Sequence, residues 1–127
     1  MKRFNELYES IIEEKLQAGL LQTAPGIMLD FLKTEFPDKY KKYTIGTFQA
    51  DYDIDAPAIL NPRGEAEIYF VEESGKLVVK IRDFNMVDKD GRKWSNVGKE
   101  IRGNISNEKN LRKEINKWFK KLAQSFE

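Results

Sequence analysis

The sequence predicts an α+β fold. N-terminal helices lead into a curved antiparallel sheet of four or five strands, and one long amphipathic helix closes the chain, giving a ββββα core behind a helical extension. Three observations carry this. Apolar residues recur every three or four positions up to about residue 43, the period drops to two from Thr44, and the helical period returns after Ser106.

In the first part, Phe4, Leu7, Tyr8, Ile11, Ile12, Leu16 and Leu20 place a helix over 3–21, which Gly19 and Thr23-Ala24-Pro25-Gly26 should stop. A second helix is expected to begin with Pro25 in its first turn and to bury Ile27, Met28, Phe31, Leu32 and Phe36, with Pro37 ending it. Phe48, Ala50, Tyr52 and Ile54 then alternate with Gln49, Asp51, Asp53 and Asp55, the pattern of a half-buried strand. Residues 56–64, with two prolines and a glycine, read as a loop.

Ala66–Val71 reads as a strand, Glu72–Gly75 as a hairpin turn, and Lys76–Val87 as a long returning strand. Asp90-Gly91 supplies a second tight turn, followed by short strands at Arg92–Asn96 and Lys99–Ile105. Ser106 or Asn107 caps a final helix that runs to about Gln124, with Glu108 in its acidic first turn. The expected division is 1–60, a helical extension with an acidic strand, and 61–127, a binding core with its helix.

Composition narrows the function. The chain has 127 residues, of which 40% are hydrophobic and 34% charged, enough for one compact core. No stretch approaches the roughly 20 apolar residues of a membrane helix, and the N-terminus lacks the apolar region of a secretory signal. A cytoplasmic location is expected, meaning host cytoplasm for a viral chain and the nucleus for a eukaryotic one. With no cysteine and no histidine, disulfides, thiol chemistry and Ser-His-Asp catalysis are excluded. No enzyme activity, cofactor or metal is expected.

The net charge of +1 conceals a strong asymmetry. Residues 1–43 are neutral overall, 44–75 carry −6, and 76–127 carry +7. A basic C-terminal half is the electrostatic footprint of a polyanion binder. On Lys76–Val87, Val78, Lys80, Arg82 and Phe84 share one parity, while Leu77, Val79 and Ile81 share the other. One face is thus cationic and aromatic, the other apolar and suited to a covering helix. Lys93, Trp94, Lys99 and Arg102 extend the charge onto the following strands.

On the last helix, Leu111, Ile115, Trp118, Phe119, Leu122 and Phe126 form an apolar stripe opposite a run of lysines and arginines. Either the N-terminal helices cover that stripe or a second copy of the helix does.

The run from Gly75 to Phe84, the Asp-Gly turn, the Gly-Lys strand pair and the basic helix resemble the core of the positive cofactor four family of transcriptional coactivators. The resemblance spans Asn61–Leu122. Gly75-Lys76, Arg82-Asp83-Phe84, Gly98-Lys99 and Arg102-Gly103 stand at the matching positions. Asn85 replaces the family's base-stacking tryptophan, and Glu72, Glu73 and Ser74 stand where its first hairpin is basic and aromatic.

The resemblance implies a homodimer paired through Leu111, Ile115, Trp118, Phe119 and Leu122. It also implies single-stranded DNA held by Lys76, Lys80, Arg82, Phe84, Lys93, Trp94, Lys99 and Arg102. The expected role is in transcription, replication or recombination, alongside protein partners in those processes, with no membrane. Two other readings stand beside it. One is a protein-interaction module using the apolar C-terminal helix and the N-terminal helical pair. The other is a carboxylate-metal nuclease using Asp53, Glu65, Glu67 and Lys80, for which no motif spacing speaks.

Overall fold

The computed structural model describes residues 16–51, 54–82, 85–87, 90, 91, 93–95 and 100–125. Helix α1 (Leu20–Glu35) and the short α2 (Pro37–Tyr40) lead into strands β1 (Thr44–Asp51), β2 (Ile54–Leu60), β3 (Ala66–Glu73) and β4 (Lys76–Ile81). The short strands β5 (Asn85–Val87), β6 (Lys93–Ser95) and β7 (Glu100–Ile101) follow, and α3 (Glu108–Ser125) ends the described chain. The architecture is α+β: an antiparallel five-stranded sheet in the order β1-β2-β3-β4-β7, with β5 and β6 paired as a separate hairpin.

One face of the sheet is closed by both long helices. Ile59, Ile68, Phe70, Leu77, Val79, Ile81 and Ile101 from the strands meet Leu20, Ala24, Met28 and Leu32 of α1 and Leu111, Ile115 and Trp118 of α3 in one buried cluster. Each such side chain contributes roughly 1.5–3 kcal/mol by leaving water. The cluster draws on both sides of residue 60, and β2 pairs with β3 across that point, so the helical extension and the expected binding core share one interior.

Local chemistry sets the element boundaries. Asn107 caps α3, its side-chain oxygen accepting from the Asn110 amide at 2.9 Å. Ser74 (φ 52°) and Gly75 (φ 76°) form a two-residue turn with both angles positive, the geometry that matches the twist of flanking strands. Asn61 builds the β2–β3 turn by accepting from the amides of Arg63 and Glu65 at 2.9 and 3.0 Å.

Several sequence expectations change. The second helix begins at Leu20, directly after Gly19 (φ 81°), and not at Pro25, and residues 16–19 are not helical. It runs through Thr23–Gly26 because Leu20, Ala24, Met28 and Leu32 form one buried stripe whose packing outweighs the lost amide. Residues 44–55 are two paired strands, with Gln49 opposite Asp55 and Asp51 opposite Ile54. Most of the expected 56–64 loop is strand β2, Pro57 included. The long strand over Lys76–Val87 stops at Ile81, and Asn85–Val87 pairs with Lys93–Ser95 instead. Of Lys99–Ile105, Glu100 and Ile101 are strand, opposite Lys80 and Val79.

The apolar stripe of α3 is covered from within the chain. Leu111 is fully buried, Ile115 and Trp118 nearly so, and Phe119 stacks edge-on against Phe31 and Phe36 with ring centroids 5.4 and 6.0 Å apart. The dimer interface expected of Leu111, Ile115, Trp118 and Phe119 is therefore corrected: α1 and the segment after it occupy the surface that a second helix would have needed. The side chains of Leu122 and Phe126, and residues 3–15 of the first expected helix, lie outside the described residues. Leu111→Ala should lower unfolding free energy by about 2–5 kcal/mol, the range for truncating a buried leucine. Urea denaturation checks this, and light scattering should give the same mass for the variant and the parent chain.

Candidate nucleic-acid interface

Leu77, Val79 and Ile81 join the helix-covered cluster, while Lys80, on the other parity, is half-buried. Val78 shares the parity of Lys80 but is itself buried, so the opposite face of β4 is open only in part. Cross-strand pairing puts Tyr69 of β3, Ala58 of β2 and Glu100 of β7 on that same face as Lys80.

Two alanines shape the open face. Phe48 on β1 stands opposite Ala56, and Tyr69 on β3 stands opposite Ala58. Strands on either side of β2 lie about 9–10 Å apart, twice the interstrand spacing. Because β2 contributes only methyl groups between them, the two rings close over it to a centroid distance of 4.7 Å, tilted by 42°. The exposed Arg82 completes the group. Its guanidinium lies 4.8 Å from the Phe48 ring centroid, and Nη1 donates to the Ala66 carbonyl at 3.0 Å, which holds the cation over the aromatic surface. The alternation over 48–55 groups Phe48 with Ala50, Tyr52 and Ile54, and nothing in the local sequence marks Tyr69 as its partner. The legible signal was Ala56 and Ala58 two residues apart, but it has meaning only once β2 is known to lie between β1 and β3.

Beside the aromatic pair lies a closed ion cluster. Lys80 Nζ contacts Glu100 at 2.7 Å and Glu73 at 3.4 Å, while Arg102 contacts Glu73 at 2.6 Å and Glu100 at 2.8 Å. Two cations and two carboxylates alternate around the group, so its formal charge is zero. Hydrogen bonds from Arg102 first and Lys80 second hold Glu100 down from the ordinary 4.5 to about 2. Glu73 is lowered chiefly by Arg102, against a smaller opposing effect of desolvation. Lys80 and Arg102 are raised, each chiefly by its bond to Glu100. Lys80 and Arg102 are thus engaged by carboxylates, a departure from the free phosphate-binding cations expected of them.

Of the other expected contacts, Lys76 stands opposite Glu73 at the hairpin. Phe84 and Lys99 lie outside the described residues, as do the side chains of Lys93 and Trp94, whose backbones belong to β6. Asp53 is likewise outside them. The Glu67 carboxylate accepts from Tyr43 at 2.7 Å and Asn61 at 2.9 Å, while Lys80 is bound to Glu73 and Glu100. Among the described residues no three acidic, histidine or cysteine side chains converge as a metal site, and no helix is long and apolar enough to cross a membrane. No protein-family description, curated protein or solved structure matches this chain.

The ion cluster makes a pH prediction. A carboxylate whose folded-state pKa is depressed contributes stability that is complete above its unfolded value and is lost as pH falls through the folded one. For Glu100 that window runs from about 4.5 down to about 2. Because the cluster is partly exposed and solvent-screened, the effect is small. Glu100→Gln should flatten the fall in stability across this window, as read from urea midpoints measured at successive pH values.

Proposed function

We propose that this chain is a non-enzymatic binding protein for single-stranded nucleic acid, with single-stranded DNA as the first ligand, serving transcription, replication or recombination. The observation that carries the reading is the Phe48–Tyr69 pair with Arg82 across it, on the face of the sheet away from α1 and α3. Unpaired bases stack on such rings at about 1–3 kcal/mol each, and a neighbouring guanidinium serves the phosphate beside the stacked base. Duplex DNA keeps its bases within the helical stack and cannot offer them to these rings.

Lys80 and Arg102 act as a reserve. Phosphate reaches them only by displacing Glu73 and Glu100, which lowers indiscriminate attraction to polyanions and leaves discrimination to stacking. Pairing through α3 is not part of this reading, because α1 covers the side chains it would use. The same burial takes Leu111, Ile115 and Trp118 out of the interaction-module reading.

The direct test is electrophoretic mobility of the chain with oligo-dT and with a duplex of equal length, where retardation of the single strand alone is expected. Phe48→Ala should weaken oligo-dT binding about tenfold, the loss of roughly one stacking contact. The Glu73→Gln/Glu100→Gln pair should tighten binding and steepen its dependence on log salt by about 1.4, two released cations at about 0.7 each for single strands. Equal affinity for both oligonucleotides, or a Phe48→Ala chain that binds as well as the parent, would sink the reading.

A further inference from the structure

We propose that the outer edge of β1 is the interface of a homodimer, in which two copies of this chain pair their β1 strands antiparallel about a two-fold axis at Gly46. The inference stands on the main chain of β1 and not on the nucleic-acid reading, although Phe48 belongs to the same strand.

The two edges of the five-stranded sheet differ. β7 is two residues long and carries Glu100, the brief and charged form in which a sheet edge resists further pairing. β1 runs for eight residues, and Thr44–Ala50 holds no charged side chain in a chain of which 34% is charged. Thr44, Ile45, Thr47 and Gln49 are exposed. Ile45, at 53%, is the exposed large apolar side chain among the described residues.

Backbone parity shows which groups face outward. The Arg82 amide donates to the Glu67 carbonyl, so Glu67 turns its main-chain groups toward β4 and Ile68 turns its own toward β2. Ile59 stands opposite Ile68 and faces β3, so its neighbour Ala58 faces β1, opposite Gly46. Gly46 is thus bonded inward, and Ile45 and Thr47 direct their amides and carbonyls to the free edge. Pro57 agrees with this, since it stands opposite Thr47 and has no N–H to give it. Among the described residues, these outward groups of Ile45 and Thr47 have no partner.

Charge decides the occupant. Exposed Lys41 and Lys42 precede β1, and Asp51 ends it. Among the described residues neither lysine is bound to a carboxylate. Within one chain the length of β1, roughly 23 Å at about 3.3 Å per residue, keeps the two signs apart. A second copy running antiparallel brings each basic end to an acidic one, so the strand is complementary to itself. With Gly46 facing Gly46, Ile45 stands opposite Thr47 of the second copy on both sides of the axis, and their outward groups form two reciprocal pairs of hydrogen bonds. Glycine at the axis leaves no side chains to collide at the closely spaced pair, where Cα atoms are about 4.5 Å apart.

Sedimentation velocity of the full chain over a dilution series should show a monomer–dimer equilibrium that weakens as salt rises. Thr47→Pro removes an outward donor that no strand within the chain uses, so it should weaken the dimer at least tenfold with little change in melting temperature. Lys41→Asp and Asp51→Lys should each weaken self-association at least fivefold, because like charges then meet across the interface. Mixed in equal amounts, these two variants should form a heterodimer as tight as the parent dimer, a result that a folding defect in either cannot imitate. A chain that stays monomeric throughout the series ends the proposal, as does a Thr47→Pro chain that dimerises like the parent. Failure of the two charge variants to pair with each other ends it too.

Discussion

The structure depends on the two-residue parity of β3 and β4 beneath a double helical cover. Ile68 and Phe70 on one strand, and Leu77, Val79 and Ile81 on the next, send every second side chain into the space that α1 and α3 close together. Shifting either strand by one residue would send these side chains to the open face and the charged ones inward. That constraint ties the termini of the described chain together, since α1 near its start packs on β2 and β3, α3 at its end packs on β7, and the two helices pack on each other. The Gln17 amide, 2.6 Å from the Ser106 carbonyl, and the Gln17 side chain, which accepts from the Glu108 amide at 3.2 Å, fasten the approach to α1 onto the start of α3.

The open face has two neighbouring parts of different character. Phe48, Tyr69 and Arg82 form an aromatic surface with a cation fixed across it, while Lys80, Arg102, Glu73 and Glu100 neutralise one another. The basic excess read along the sequence does not become an equally basic surface, because strand pairing brings Glu100 beside Lys80, and the same cluster takes in Glu73 and Arg102. Partly exposed ion pairs of this kind add little to stability.

Pro57 plays a corresponding role within the sheet. In a central strand proline normally interrupts pairing, and here the interruption is confined to one side, where β2 would otherwise have continued along β3. The β2–β3 ladder thus ends at Ala58 opposite Tyr69, while the β1–β2 hairpin continues to Ile54.

The helical and strand periods, the Ser74-Gly75 turn, the Asn107 cap and the parity of Leu77–Ile81 were all legible in the sequence, because each is set by residues close together in the chain. What tertiary structure alone decided were the partners. The stripe of Leu111, Ile115 and Trp118 demands a cover but does not say which one, and α1 supplies it from about ninety positions away. The meeting of Phe48 with Tyr69 needs two alanines on an intervening strand, and the neutralisation of Lys80 needs a register with β7. Local periodicity determines which way a side chain points. Only long-range packing determines what it meets there, because closing a loop brings together residues whose spacing in sequence carries no trace of the contact.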